Sequence, residues 1–513
     1  MNTQYTGSLP LPLPNAVSRP HAGVGAIPQL DVRFITAFVY VAAALALRSF
    51  TFGNPVVHID EQFYLLVGDR MLHGALPFVD IWDRKPLGLF VLFAAIRKLG
   101  GDGIVQYQIV ASLFAGATAM VINQLARCIA PAAGAFWAGM AYLLYLLVAN
   151  CAGGQTPVFY NLFIALAALA TFKAIRFRNY PRLAAAGMLP MLLAGVAIQI
   201  KYTALFEGVG FGLALLWRVR KDRLPFARSL RLGALWVACA LAPTLLALGY
   251  YVSIGHGHDF VSSNFLSIFG RRDQPMATFV RLVLETAALT PFWLAIFRAP
   301  RHLPDVTGTA PEALVLLAWW AICAVAGFLL FGGYYDHYTA PLLPPLAALA
   351  APALGRHGAG RHYTTWLIGL GLVAGLCEIA INQHARGNRA EVERMTSLIQ
   401  SRIGNGCLFV YEGDPILYKT TAACLATRFI FPSHLATYDE AKAVGVDTVG
   451  EVKRIMASQP SVVVIGQKPV WMHPNFDTRR VVEAALARNY RCDARASVGT
   501  RKYQICERRM IAR

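Results

Sequence analysis

A polytopic α-helical membrane protein with a small C-terminal α/β domain is the fold class this sequence predicts, and three observations predict it. Of its 513 residues, 56% are hydrophobic and only 15% are charged, well under the roughly 25% charge of ordinary soluble domains. The apolar residues gather into runs of bilayer length, which is about 20 residues per helix. From about residue 383 the runs shrink to strand length: "CLFVYE" at 407–412, "TRFIFP" at 427–432 and "SVVVIG" at 461–466.

Residues 1–30 are rich in Pro, Gly and small side chains. They lack a basic stretch followed by an apolar core and a cleavage site, so they predict a disordered cytoplasmic tail rather than a cleaved signal peptide. Candidate spans then start near Phe34, Gln108, Ala132, Phe159, Leu183, Thr203, Leu232, Ala277, Glu312, Thr339 and Tyr363, about eleven in all. Basic clusters at 173–182, 218–231, 298–301 and 356–361 all fall on one side of that count. Lys and Arg are retained on the cytoplasmic side, which places the N-terminus inside. The loop at 53–107, the loop at 255–276 and the tail from 383 onward then lie outside. The formal charge of +19 is explained by these clusters, and no nucleic acid is expected as a partner.

In the tail, "VGEVKRIMASQ" (449–459) and "TRRVVEAALARNY" (478–490) have helical spacing. Helices alternating with strands predict a mainly parallel sheet, and the last stretch predicts a hairpin at its edge. Four of the nine cysteines, Cys407, Cys424, Cys492 and Cys506, lie in this tail. An outside location permits disulfides. Four cysteines allow three pairings; Cys492–Cys506, flanking the hairpin, is the favoured pair, against four reduced cysteines.

Chemistry concentrates in the first outer loop, "HIDEQFYLLVGDRMLHGALPFVDIWDRKP" (58–86). Carboxylates at a membrane edge are costly and usually pair or do work. "EQFYLLVGDRMLHG" predicts an amphipathic interfacial helix, with Phe63, Leu66, Val67 and Met71 on one face and Asp69 and Arg70 on the other. Gly74 and Pro77 end it, and Asp80, Asp83, Arg84 and Lys85 follow close together. A carboxylate such as Asp60 or Glu61 can take a proton from an attacking hydroxyl. A nearby lysine can neutralise a departing phosphate.

Asp60-Glu61, the "GALPFVDIWDRKPLGLF" block and the late "YYDHYTAPLLPPLAAL" together resemble the bacterial GT-C class glycosyltransferases. The nearest kin are the family 39-like enzymes, which include protein O-mannosyltransferase relatives and the lipid A aminoarabinose transferase. The resemblance covers about residues 34–382 and is most specific at 58–90. It implies a GT-C fold in a bacterial inner membrane and transfer of a hexosyl or pentosyl group from a polyprenyl-phosphate donor, with inversion. The acceptor would be an envelope glycan, lipid or protein on the outer face. Carried over residue by residue, Asp60 is the base and Glu61 its neighbour, while Lys85 contacts the donor phosphate with Arg84 beside it. Arg84 stands where the aminoarabinose enzymes tend to have an acidic residue. No cofactor is expected; a divalent metal is left open.

Other candidates are weaker. Arg48 near the outer end of the first span, and Arg271 and Arg272 in the outer loop, are candidates for phosphate or acceptor binding. His337 and Tyr338, beside Asp336, fall between two spans where the family has a similar pair. Asp80 and Asp83 are candidate acceptor contacts. His256, His258 and Asp259 have metal-like spacing but read as a solvated loop. Gly413 and Asp414 follow a strand, where Asp414 is either a ligand site or a helix N-cap. The alternative function is a transporter or flippase of a lipid-linked glycan, with the acidic loop as its gate; a third is a glycan-binding scaffold. A transporter should show repeated halves and charges at mid-membrane, and this chain gathers its charges at one surface.

Overall fold

The structure is a computed structural model describing residues 32–272, 274–299, 310–355 and 359–509. The tail expected at 1–30, and Arg301 and Arg356 of the basic clusters, lie outside these residues. Long apolar helices make up the first part: α1 (Val32–Arg48), α4 (Ile104–Ala126), α5 (Ala132–Val148), α6 (Thr156–Ala174), α7 (Tyr180–Ile198), α8 (Ala204–Lys221), α9 (Phe226–Ser253), α11 (Pro275–Arg298), α12 (Ala310–Phe331) and α14 (Ala359–Arg386). Among the described residues, eight helices are long and apolar enough to cross a membrane, with α5 a shorter apolar helix. The protein is a multi-pass membrane protein. Shorter helices fill one end: α2 (Ile59–Met71), α3 (Leu87–Arg97) and α10 (Gly257–Val261).

The span expected at Thr339 is not one. Residues 336–353 break into 3₁₀ turns around the eight-residue helix α13 (Leu343–Ala350), because prolines recur at 341, 344, 345 and 352. At 1.5 Å per residue, α13 is far shorter than the roughly 30 Å hydrocarbon layer. It is instead buried within the bundle.

The loops after α1, α5, α7, α9, α12 and α14 meet at one end of the bundle. Arg48 reaches Ala152 and Gly153, Asn150 reaches Asp336 and Asn382, and the Tyr251 hydroxyl donates to the Pro77 carbonyl. Lys201 lies over the Tyr338 ring. The C-terminal domain caps this same end. It comprises α15 (Arg389–Ile403), β1 (Cys407–Val410), α16 (Ile416–Thr420), β2 (Cys424–Leu425), α17 (Ser433–Ala436), α18 (Thr448–Ala457), β3 (Val462–Gly466), α19 (Phe476–Asn489), β4 (Tyr490–Val498) and β5 (Arg501–Arg508).

Its sheet order is β2-β1-β3-β5-β4. The β2, β1 and β3 strands run parallel, while β5 and β4 close the sheet antiparallel as the expected hairpin. The sheet is therefore mixed rather than mainly parallel. "TRFIFP" forms no strand; only Cys424 and Leu425 just before it pair with β1. Its apolar residues Phe429, Ile430 and Phe431 are spent on packing against the first loop.

Strand alternation joins the two parts of the chain. Leu408, Val410, Val462 and Val464 face the core shared with the helical bundle. Their neighbours Phe409, Tyr411, Val463 and Ile465 face a second core, which Trp82 of the first loop enters.

Two disulfides staple the sheet: Cys407–Cys424 across β1 and β2, and Cys492–Cys506 across β4 and β5. The second is the favoured pair; the first was left open by the sequence. Alkylation of the denatured protein should tag five of its nine cysteines without reduction and all nine after it. Nine tags without reduction, read by intact mass, would remove both bridges.

Candidate active site

The first loop folds because its own residues start and stop it. His58 caps α2, its Nδ1 accepting from the Asp60 amide. Pro86 ends the loop and precedes α3. The helix α2 is not an amphipathic helix at an interface: every residue from Glu61 to Gly68 is buried. The helix α3 covers one side of it, close enough that a side chain at Gly68 would strike the α3 backbone. The C-terminal domain covers another, with Gln62 bonded to Asp414 and Phe63 against Phe431.

Asp60 and Lys85 meet across this fold, Oδ1 to Nζ at 3.4 Å. Both side chains keep a little exposure, 17% and 15%, so the pair is largely but not fully buried. Lys85 also lies 3.5 Å from Asp83 Oδ1, and its backbone amide donates to the same oxygen. The aromatic faces of Tyr64, Phe431 and Phe63 surround its ammonium at 5.3, 5.4 and 5.9 Å. Burial opposes the Asp60 charge, but Lys85 and then His58, His337 and Lys201 outweigh it and hold the carboxyl well below its usual range. Burial likewise opposes the Lys85 charge, and Asp83 and Asp60 outweigh it, raising its pKa. The site therefore holds an ionised carboxylate and an ammonium in contact.

Glu61 does not share this site. It points into the core, where Gly153 leaves it room: a Cβ there would lie 2.0 Å from Glu61 Oε2. Burial pushes its carboxyl up to about 7, against the Gly154 amide, the Tyr107 hydroxyl, Arg386 and Arg48. Adjacent helical residues point about 100° apart, so a catalytic pair on successive positions cannot converge on one substrate. Arg48 is buried too, its Nη1 donating to the Ala152 and Gly153 carbonyls at 3.1 and 2.9 Å. Those contacts tie the end of α1 to the loop after α5. We expect Glu61→Gln to keep activity within about threefold, since the amide matches the carboxyl group in shape. Between the ordinary carboxylate range and about pH 7, the folded protein holds a proton the unfolded chain has lost. Stability from this site therefore falls as pH rises through that window, and a melting series on Glu61→Gln should lack that fall.

The remaining candidates divide. Asp80 is exposed and accepts from the Leu76 amide, tying its own turn rather than reaching a substrate. Asp83 is 1% exposed and lies between Lys85 and His434. Arg84 forks onto Glu440 of the C-terminal domain, and Arg271 approaches the same carboxylate at 3.7 Å. Arg271 also donates to the Tyr335 hydroxyl. Burial works against the Tyr338 phenolate, yet Lys201 and Arg271 lower its pKa. Arg272 bonds the Tyr438 hydroxyl further out. His256 pairs with Asp259, and Arg428 lies beside them, as a loop does. Asp414 is neither ligand site nor N-cap; it joins Arg501 and Gln62 across the domain junction, and Pro415 holds the cap position of α16.

Sequence reasoning missed four residues here: His58, Lys201, His434 and Glu440. Lys201 had a signal, a lysine at the very end of an apolar span. His434 and Glu440 had none, for they lie some 350 residues from the groups they touch. Lys201, His337 and Tyr338 line a narrow cleft of about 30 Å³ between α8 and α12, together with Phe206, Phe328 and Phe331.

Among the described residues, one set of donors could hold a metal ion: His58, Asp336 and His337, whose ligand atoms lie within 4.8 Å of one another. These donors already serve one another. Asp336 Oδ1 accepts from the His337 amide and its Oδ2 from Asn150, while His58 Nδ1 accepts from Asp60. Burial, then Arg386, push the His58 imidazole down to about 3 against the pull of Asp60, so it is neutral at pH 7.

No protein-family model matches the chain, and no curated protein matches it by sequence. Solved structures do match its fold. ArnT from Cupriavidus metallidurans, bound to undecaprenyl phosphate, aligns at a TM-score of 0.60 and 16% identity, over 91% of this chain and 97% of that one. The oligosaccharyltransferase AglB from Archaeoglobus fulgidus, in complex with an inhibitory peptide and a dolichol-phosphate, aligns at 0.50 and 10% identity, over 85% of this chain and 69% of that one. The chain has the GT-C fold of membrane glycosyltransferases.

Proposed function

We propose that this protein is an inverting membrane glycosyltransferase that moves a sugar from a polyprenyl-phosphate donor to a hydroxyl of an envelope glycan, lipid or protein. The observation that carries the proposal is the contact of Asp60 with Lys85, 3.4 Å apart and largely but not fully buried at one end of the bundle. The acceptor oxygen attacks C1 of the sugar, and the C1–O bond to the phosphate breaks. Asp60 takes the hydroxyl proton. The polyprenyl phosphate leaves with the bonding pair, and Lys85 neutralises the charge it gains. Before the donor arrives, Lys85 is held by Asp60 and Asp83; a phosphate shares that cation and frees Asp60 to act as base. Arg271 and Tyr338 stand on the far side and are candidate donor contacts.

This reading places the reaction on the outer face of a bacterial inner membrane. The basic clusters between α6 and α7 and between α8 and α9 lie at the end of the bundle opposite the site, which the positive-inside rule makes cytoplasmic. First loop and C-terminal domain share one end through Arg84–Glu440, so this reading puts both on the same, outer side. The reading assigns no step to a cofactor. Membranes from expressing cells, given a radiolabelled polyprenyl-phosphate sugar, should move label to an acceptor. Label that crosses the membrane still on its lipid would favour the flippase reading and overturn this one.

A further inference from the structure

The C-terminal domain reaches the phosphate-binding lysine through one histidine. His434, on α17, is 3% exposed and edge-on to Trp82 at 4.7 Å, with Phe431 at 5.2 Å. Its Nε2 lies 3.6 Å from Asp83 Oδ2. The other oxygen of Asp83 faces Lys85, accepting from its amide at 2.8 Å and lying 3.5 Å from its ammonium. Asp83 Oδ2 has no hydrogen-bond partner among the described residues, although it is buried. A buried carboxylate oxygen left bare is costly, so the imidazole has a reason to be there. Burial, with Arg84 and Lys85 and against Glu440, keeps that imidazole neutral. A neutral ring with its proton on Nε2 presents an N–H toward Asp83 Oδ2 from 3.6 Å, just beyond hydrogen-bond length.

The frame around this contact comes from both parts of the chain. Trp82 enters the second core of the C-terminal domain, and its amide donates to the Arg428 carbonyl. Arg84 is locked to Glu440. The segment "DIWDRKP" is thus held on one side by residues 428–440.

We propose that His434 is a positioning residue: it fixes Asp83, and through Asp83 the Lys85 ammonium, at the place where the donor phosphate binds. The C-terminal domain is then part of the catalytic frame and more than an acceptor-selecting appendage. This rests on the reading of Lys85 as the phosphate-binding group. A displaced cation loses affinity for phosphate and leaves the hydrocarbon contacts unchanged.

The test is titration of the full-length protein in detergent with farnesyl phosphate, and with farnesol as the same chain without its phosphate. His434→Phe keeps the ring and removes the donor; it should weaken farnesyl phosphate by about tenfold, the lower part of the range for a misplaced active-site group, and leave farnesol unchanged. His434→Gln puts an amide donor near the position of Nε2 and should stay within about threefold of wild type. Asp83→Asn with His434→Phe should lose no more than the worse single variant, because both act on one contact. Equal weakening of both ligands, or losses that multiply, would overturn the proposal. If His434→Phe fails to fold, Asp83→Asn with and without His434→Gln supplies the same cycle. A wild-type protein that ignores farnesyl phosphate would overturn the reading of Lys85 and this inference with it; one that binds it, with His434→Phe unchanged, overturns the inference alone.

Discussion

Asp60→Asn is expected to lower the rate of transfer by about 10²–10⁴-fold, the usual contribution of a positioned general base. The asparagine keeps the shape of the side chain and an oxygen toward Lys85, so donor binding should hold or tighten: Lys85 loses one of its two carboxylates and is freer for phosphate. A fall in rate with unchanged donor affinity is the signature of a group that acts in the transition state. The variant also has a pH signature. The Asp60 pKa is depressed by Lys85 and its neighbours despite burial. Its ionised form therefore stabilises the fold above the unfolded carboxyl pKa, and that stabilisation is lost as pH falls through the folded value. Wild type and Asp60→Asn should differ in melting temperature at neutral pH and converge in strong acid. Normal transfer by a well-expressed Asp60→Asn protein would remove Asp60 from the mechanism.

Lys85→Ala is expected to weaken the donor far more than the acceptor and to lower turnover by about 10²–10³-fold, as loss of one charge-stabilising donor does. It should also destabilise the protein. Asp83 would remain buried, at 1% exposure, without its cation. Breaking a buried pair by removing one partner is worse than removing both. Asp83→Asn with Lys85→Ala should therefore recover thermal stability and no activity. Kinetics at varied donor and fixed acceptor, and the reverse, separate the two effects. Equal loss toward both substrates would mean that Lys85 only holds the loop together.

Much of this fold was legible because bilayers impose simple rules. Long apolar runs and strand-length segments in the tail announce helices and a sheet. The misreadings share a cause: a local pattern was overruled by what packs on it. Glu61 reads like Asp60 in sequence, but the turn of α2 sends it to Gly153 instead of Lys85. "EQFYLLVGDRM" is patterned for a half-exposed helix, yet α3 and the C-terminal domain pack on it and every residue from Glu61 to Gly68 is buried. "TRFIFP" has the composition of a strand and serves as a plug against Phe63 and Trp82.

A carboxylate pair and a lysine stand in one short stretch, so residue type alone marked that stretch as the candidate site and the family resemblance singled out Asp60 and Lys85 within it; composition and run length determined the membrane class and the two-part organisation. What only the tertiary structure decided is which groups join Asp60 and Lys85. His58 and Lys201 come from helix ends brought together by the bundle, and His434 and Glu440 come from a domain folded back over the first loop. Contacts between groups hundreds of residues apart leave no periodicity in a single sequence. They exist because burying Trp82 and the aromatic residues around His434 in a shared core brings the polar side chains beside them together, and those side chains must then satisfy one another.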